Sequence, residues 1–474
     1  MLKSRGRVTL ADQVQARQGI IRGALYMNMP IPAQHLAYTL YGWINNRKRF
    51  NSEFGDLLAE VENRLNWSTD RLIAFRNARL RSFIQHAAAT VPYYRQLFAE
   101  RGIDPDGIHT IEDMNAIPIL TKTEAVRLGC QLQSSEIPWR SIKMVSTSGT
   151  SGSAFRFATT IISDREQWAV WWRHWRSHGI QLGTWHGVFG SWATCPHNQS
   201  EPPFWRYDFA TRLTFFSVHH MTEQFLPFYV QEIRNRRISW LHGRASMLAI
   251  IATYMVDSGD SLDHSLRWIT CSVEKLSYKQ AAIIEKAFGI APVQHYGMVE
   301  AVANISQSPN GPLRVDEDFA AVEFIRDHDL GDWRIIGTNI TNLATPLIRY
   351  DIGDRVVLES GMDPRNESIR PVISIEGRRG EYIVLGDGRK IAGCDDMFVY
   401  TEQISEAKIF QQTPGQIRIE VVKRPNYSQH DEEQLRKATR IHLGPDMILD
   451  IKYVNTIESA PFGKAQLIES TLAK

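Results

Sequence analysis

Cysteine is scarce in this chain, and its four cysteines, Cys130, Cys195, Cys271 and Cys394, form no C-x-x-C pair and no local metal-ligand spacing with histidine. That excludes a disulfide framework and a local zinc module, and it suits a reducing compartment. Charge of one sign is not in excess either: 54 Lys and Arg against 52 Asp and Glu leave a formal +2. Composition therefore supplies no broad electrostatic case for nucleic acid or an anionic membrane as partner. Long apolar runs are missing too. No stretch reaches the roughly 18 residues of a spanning helix, and the basic start (Lys3, Arg5, Arg7) lacks the apolar core and cleavage site of a signal peptide. Internal repeats and low-complexity segments are absent. What remains is an ordinary globular composition, 43% hydrophobic over 474 residues, enough for a large core and at least two domains. A soluble cytoplasmic protein is expected.

The chain changes texture along its length. Residues 1–65 hold broken amphipathic pieces, such as QGIIRGALYMNM stopped by Pro30 and Pro32. They read as a helical arm packed on the core, with contact to a membrane or partner as the alternative. From Ser68 to Arg101 the spacing predicts helix, with Leu72, Phe75, Leu80, Phe83, Ile84 and Ala87 on one side, until Val91-Pro92 interrupts it. SDREQWAVWWRHWRSHG predicts a helix opened by a Ser163/Glu166 capping box and closed at Gly179. Its Trp168, Trp171, Trp172 and Trp175 are either core or the wall of an aromatic pocket. Strand-like and helix-like segments then alternate from GVFGSWA to APVQHYG, which predicts an α/β sheet with crossover helices and active loops at strand ends. From about 322 short β segments follow. The last hundred or so residues read as a separate small α+β unit, with QIRIEVV and MILDIKYV as strands around a helix at about 430–443.

One stretch carries chemistry on its face. MVSTSGTSGSAFRF, residues 144–157, crowds hydroxyls and two glycines between two apparent strands. Glycine lets the backbone approach an oxyanion, and amides with hydroxyls supply several short donors to phosphate oxygens. The pattern is not G-x-x-x-x-G-K-[ST], and no helix starts at its end, so a Walker-type kinase or NTPase is disfavoured. Taken alone, the loop could be a hairpin turn and nothing more.

Further segments follow it in order: QHYGMVE (294–300), RYDIGD (349–354), EGRRGE (376–381) and SAPFGKAQLI (459–468). The series resembles the adenylate-forming superfamily, which includes acyl-CoA ligases, luciferases and peptide-synthetase adenylation domains. AAATVPYYRQLFAERGIDP, IPILTK and TNLATPLIRYDIGD resemble its phenylacetate-CoA ligase branch, and MNMPIPAQHLAYTLYG leans toward the CapK-like subfamily. The resemblance implies a fold of class α/β: a large N-terminal domain, 1–376, with α/β sheets and a β-rich portion, and a small mobile α+β domain, 377–474.

It also implies roles. ATP and a carboxylate would give an acyl-adenylate and pyrophosphate, with Ser146, Thr147, Ser148, Gly149, Thr150, Ser151 and Gly152 around the β- and γ-phosphates. Most relatives carry Lys where this chain has Ser153, which removes one cation from the loop. Gln294, His295, Tyr296 and Gly297 would face the adenine and substrate, and Glu300 would coordinate Mg²⁺. Glu274, after a Val273 that replaces a glycine, would lie near the adenine. Asp354 would accept both ribose hydroxyls, a geometry a carboxylate can supply; its structural alternative is a turn Asp paired with Arg355. Arg378 would contact the ribose near the hinge. Lys464 would reach the substrate carboxylate and the α-phosphate, where a fixed cation stabilises charge without losing a proton. Arg349 is left open between a phosphate and a neighbouring acid.

The acyl pocket is placed between 185 and 300, with Trp192, His219 and His242 as its lining candidates. A zinc site at His219-His220 is disfavoured, because neighbouring side chains on a strand point to opposite faces. The expected reaction is adenylation of a carboxylic acid followed by transfer to coenzyme A. Transfer to an amine in surface-polysaccharide or secondary-metabolite biosynthesis is the alternative, and a non-catalytic nucleotide-binding homologue a further one. No nucleic acid partner and no transmembrane segment are expected, and a homodimer stays open.

Overall fold

The computed structural model describes residues 25–147, 155–190, 194–196, 198–264, 266–274, 276, 278–309, 311–326, 333–358, 370–377, 382–392, 394–398, 401, 403–457 and 467–472. They group into two compact units. The first contains residues up to Asn51, Gln181–Cys271 and Leu276–Pro292; the second contains Ser52–Ile180, Ser272–Lys275 and everything from Val293 on.

In the first unit, strands Trp268–Cys271, Trp240–Gly243, His186–Gly190 and Leu213–Ser217 lie side by side and parallel, with Trp205–Asp208 antiparallel at the edge. Helices Leu226–Asn235, Ala245–Ser258 and Tyr278–Phe288 alternate with them. One sheet face carries Phe189, Leu241 and Ile269, which pack with Tyr229, Ile233, Leu248 and Ile251 of the helices in a single apolar core. This is the alternation expected from the sequence. The edge strand Trp205–Asp208 was not, since four residues with a central Arg-Tyr carry no clear period.

The second unit holds a seven-stranded antiparallel sheet among the described residues, in the order Ala320–Arg326, Trp333–Asn339, Tyr350–Leu358, Pro371–Gly377, Leu313–Val315, Asn304–Gln307, Val293–Gly297. Helix Thr69–Thr90 starts at Ser68, whose Oγ accepts from the Arg71 amide, and yields to Pro92–Arg101 at the predicted break, with Gly102 closing the latter at φ 62°. The tryptophan-rich helix runs Ile161–Ser177, and its start differs from expectation: Thr160, not Ser163, is the N-cap and accepts from the Ser163 amide. Glu166 is instead paired with Arg79 through both carboxylate oxygens. Trp172 and Trp175 are buried, as core residues should be.

The C-terminal part has its own sheet, ordered Ile448–Val454, Gln416–Lys423, Ile404–Thr413, Ile468–Ser470. Helix Gln429–Leu443 crosses between the parallel pair and buries Leu435 and Leu443 against Ile417, Ile419 and Ile409. The architecture is thus mixed α/β with a C-terminal domain on its own sheet, as the sequence predicted.

Candidate nucleotide-binding and acyl sites

The phosphate-loop candidate is bounded by the two strands of a β-hairpin. Ile142–Ser146 pairs antiparallel with Arg156–Thr160, Ser146 opposite Arg156. Thr147 closes the hairpin: its amide donates to the Phe155 carbonyl at 3.0 Å, and its Oγ1 accepts from the Phe155 amide at 3.1 Å. Of the predicted loop, Ser146 and Thr147 are described; Ser148, Gly149, Thr150, Ser151 and Gly152 lie outside the described residues, as do Trp192, Arg378 and Lys464.

Two remote motifs meet beside a common sheet. Tyr296, on strand Val293–Gly297, donates its hydroxyl to Asp354 Oδ2 at 2.7 Å across 58 residues of sequence. This charge-assisted bond fixes the carboxylate. Gly297 has no room for a side chain: a Cβ would lie 2.8 Å from Asn304 Oδ1 and 2.9 Å from Trp171 Nε1. Asn304 is a hub there, since its Oδ1 meets Trp171 Nε1 and His295 Nε2, both at 3.1 Å, while its Nδ2 donates to Asp316 at 2.6 Å. His295 is buried and stacks on His174, so it supports the Tyr296 strand from behind. The Gln294 amide donates to Gln307 Oε1 at 2.8 Å.

Glu300 follows on a tight turn. The Ala301 amide donates to Met298 O, and Ala301 takes φ 54°. Asn339 grips this turn, its Nδ2 donating to the Glu300 carbonyl at 2.9 Å, while its Oδ1 accepts from the Thr341 and Asn342 amides. Asn342 in turn donates to Ala158 O at 2.9 Å and accepts from the Thr160 amide at 3.3 Å. Both asparagines are 1% exposed. A buried amide relay therefore links the Glu300 turn to the second strand of the hairpin, and buried polar networks of this completeness confer rigidity. The sequence reading missed both residues; the only sign was polar side chains packed among apolar ones in TNITNLATPL.

Arg349, left open by the sequence, is a structural residue. It clasps Glu323 with two bonds, at 3.0 and 2.8 Å, and donates to Ile117 O at 2.6 Å. Its neighbour Asp351 pairs with Arg334. Glu274 lies just beyond strand Trp268–Cys271, after a Val273 held at φ 76°. The glycine-type backbone is thus kept although the residue is β-branched, at a cost of roughly 1–2 kcal/mol.

In the first unit, His242 and His186 share one sheet face, opposite the helix-packed one, because His186 registers with Trp240 and Val188 with His242. His186 stacks on Trp240 at 4.6 Å, and Thr270 Oγ1 contacts both Trp240 Nε1 and His242 Nδ1 at 2.8 Å. Burial pulls both imidazoles down to about 4, and in His242 the charge of His186 adds to it. They are neutral hydrogen-bonding groups at physiological pH. His219 and His220 sit on a 3₁₀ turn after the strand ends at Ser217, so the strand argument against a zinc pair does not apply. His220 contacts Ser217 Oγ and Pro196 O instead. Among the described residues no group of three or more His, Cys, Asp or Glu could hold a metal ion.

Residues 384–471 match the CapK C-terminal domain. Over 448 residues the chain is 22% identical to protein CapK of Staphylococcus aureus, covering 93% of this chain and 97% of that one. It is 24% identical to the phenylacetate-coenzyme A ligase of Escherichia coli K12 over 79% and 81% of the two chains. Its homologues thus include CapK and phenylacetate-coenzyme A ligases. Its fold is also that of 2-hydroxyisobutyryl-CoA ligase solved with its acyl-AMP and CoA, with a TM-score of 0.53, 16% identity and coverage of 85% of this chain and 90% of that one. For this CapK homologue no described helix is long and apolar enough to cross a membrane.

Proposed function

We propose that this chain is an AMP-forming ligase that activates a carboxylic acid with ATP and passes the acyl group to coenzyme A. The observation that carries the reading is the Tyr296–Asp354 bond, because it gathers two motifs of the series into one polar site in the unit that also holds the phosphate-loop hairpin. A carboxylate oxygen of the substrate attacks the α-phosphorus, and the bond to the bridging oxygen of pyrophosphate breaks. The thiolate sulfur then attacks the acyl carbon and AMP leaves with the bonding pair.

In this reading Asp354 accepts the ribose hydroxyls, held in place by Tyr296. Thr147 and Ser146 anchor the loop of residues 148–152 around the outer phosphates. Lys464, in the domain 377–474, balances charge on the transferring group, and Arg378 contacts the ribose. Glu300 fits a Mg²⁺ ligand: its carboxylate has no partner among the described residues, its backbone is fixed by Asn339, and it is a hard oxygen donor. Bound Mg²⁺ would neutralise phosphate charge during displacement. Trp192, His219 and His242 remain the proposed acyl-pocket residues, and Glu274, Gln294, His295 and Gly297 the adenine-side ones.

An amine acceptor is the second reading. A hydroxylamine-trapped adenylation screen over aryl, fatty, hydroxy and uronic acids tests the first half-reaction. Release of AMP and pyrophosphate is expected, and ADP or no product refutes the reading. Asp354→Ala should weaken ATP binding by about tenfold or more, and Lys464→Ala should abolish adenylate formation while ATP still binds. Supplying CoA or amines to the trapped adenylate then separates the two acceptors.

A further inference from the structure

The helix Ile31–Arg49 is seated with its polar side inward. Gln34 Oε1 accepts from Arg206 Nε at 2.6 Å, and His35 Nδ1 accepts from the Tyr207 amide at 3.0 Å. Thr39 Oγ1 donates to Tyr207 O at 3.3 Å and accepts from the Phe209 amide at 3.2 Å. These side chains cover the open edge of strand Trp205–Asp208, which would otherwise invite pairing with another chain. The fit is close, since a Cβ on Gly42 would lie 1.7 Å from Asp208 Oδ2.

What the helix turns outward is apolar. Leu36, Leu40, Trp43 and Ile44 are 70, 55, 45 and 39% exposed, and their i, i+4, i+7, i+8 spacing makes one stripe about 12 Å long. A surface helix ordinarily points such a stripe at the core, and a contiguous exposed apolar patch marks a contact surface. Within the segment read as a helical arm, Ile31–Arg49 packs its polar side, not this stripe, on the strand edge.

Charge identifies what covers the stripe. The helix contains no acidic residue and ends in Arg47-Lys48-Arg49, and residues 1–49 carry eight Lys or Arg against a single acid, Asp12. Arg47 lies 4.6 Å over the Trp43 ring, within the stripe itself. A second copy of this helix would bring like charges together with no counter-charge of its own. An anionic lipid surface supplies that counter-charge, and a tryptophan such as Trp43 suits the headgroup level. We propose that the Leu36–Leu40–Trp43–Ile44 face is an interfacial anchor that seats the protein on an anionic bilayer, lying in its surface without crossing it. The proposal does not depend on the reaction assigned above.

Flotation of the full chain with vesicles tests it, using phosphatidylglycerol mixed with phosphatidylcholine against phosphatidylcholine alone, at low and high salt. Binding to the anionic vesicles that weakens with salt is expected. Leu40→Ser with Trp43→Ser should lower that binding at least about tenfold. Arg47→Gln, Lys48→Gln and Arg49→Gln together should lower it by a similar factor and reduce the preference for phosphatidylglycerol. Leu40, Trp43 and Arg47 are exposed, so an unchanged unfolding midpoint is the control, and the charge variant carries the test if the stripe variant unfolds. Absence of binding, equal binding to both vesicles, or a dimer in solution that the stripe variant dissociates would each overturn the proposal.

Discussion

Replacing Arg349 by Met removes a guanidinium that holds both oxygens of Glu323 in a site where the two side chains are 7 and 8% exposed. Burial already pushes the Glu323 carboxyl above its ordinary range, and Arg349 is the largest influence holding it down. Without the partner the carboxylate is left buried and uncompensated, which should cost about 3–5 kcal/mol. Arg349→Met combined with Glu323→Leu should recover most of that, leaving a deficit of about 1 kcal/mol from the lost bond to Ile117 O. Urea unfolding of the three proteins measures this. Acidity gives a second reading of the same effect. A carboxyl whose folded pKa is raised binds protons more tightly in the native state, so its contribution grows as pH falls and is lost as pH rises through that pKa. The deficit of Arg349→Met should therefore shrink between neutral and mildly acid pH. The reasoning fails if the single variant is as stable as the parent, if the double variant is no better than the single, or if ATP affinity of the folded double variant falls. That last result would mean that Arg349 serves phosphate after all.

Two further outcomes are expected. Val273→Gly should raise stability by up to about 1 kcal/mol, because relief of the left-handed backbone at φ 76° outweighs the added chain entropy; a lower unfolding midpoint would contradict this. His186 and His242, held down at about 4, bind fewer protons folded than unfolded, so their contribution is intact above about 6.5 and lost as pH falls toward 4. His186→Phe with His242→Gln should flatten that acid slope in thermal melts, and an unchanged slope would refute it.

The hairpin at 142–160 was legible because its loop is bounded by apolar strands, and the alternation after 186 because helix and strand periods differ. Pairings between elements were not. Arg349 found its acid through sheet register, 26 residues upstream, which no local period encodes. Tyr296 and Asp354 meet across 58 residues although three strands separate theirs in the sheet order, which no local period encodes either. The cap at Thr160 was hidden because strand Arg156–Thr160 runs directly into the helix, leaving Ser163 inside the first turn. The helical stretch at 25–27 does end before Pro30, but the sequence did not show that a new helix, Ile31–Arg49, starts there; proline is tolerated in a first turn, where amides have no helical acceptor.

The Asn304 hub settles a proton. Its Nδ2 donates to a carboxylate, so the amide cannot be reversed, and its oxygen can only accept. The imidazole of His295 must then carry hydrogen on Nε2. The tautomer of a ring beside Tyr296 is thereby dictated by Asp316, through a single intervening side chain.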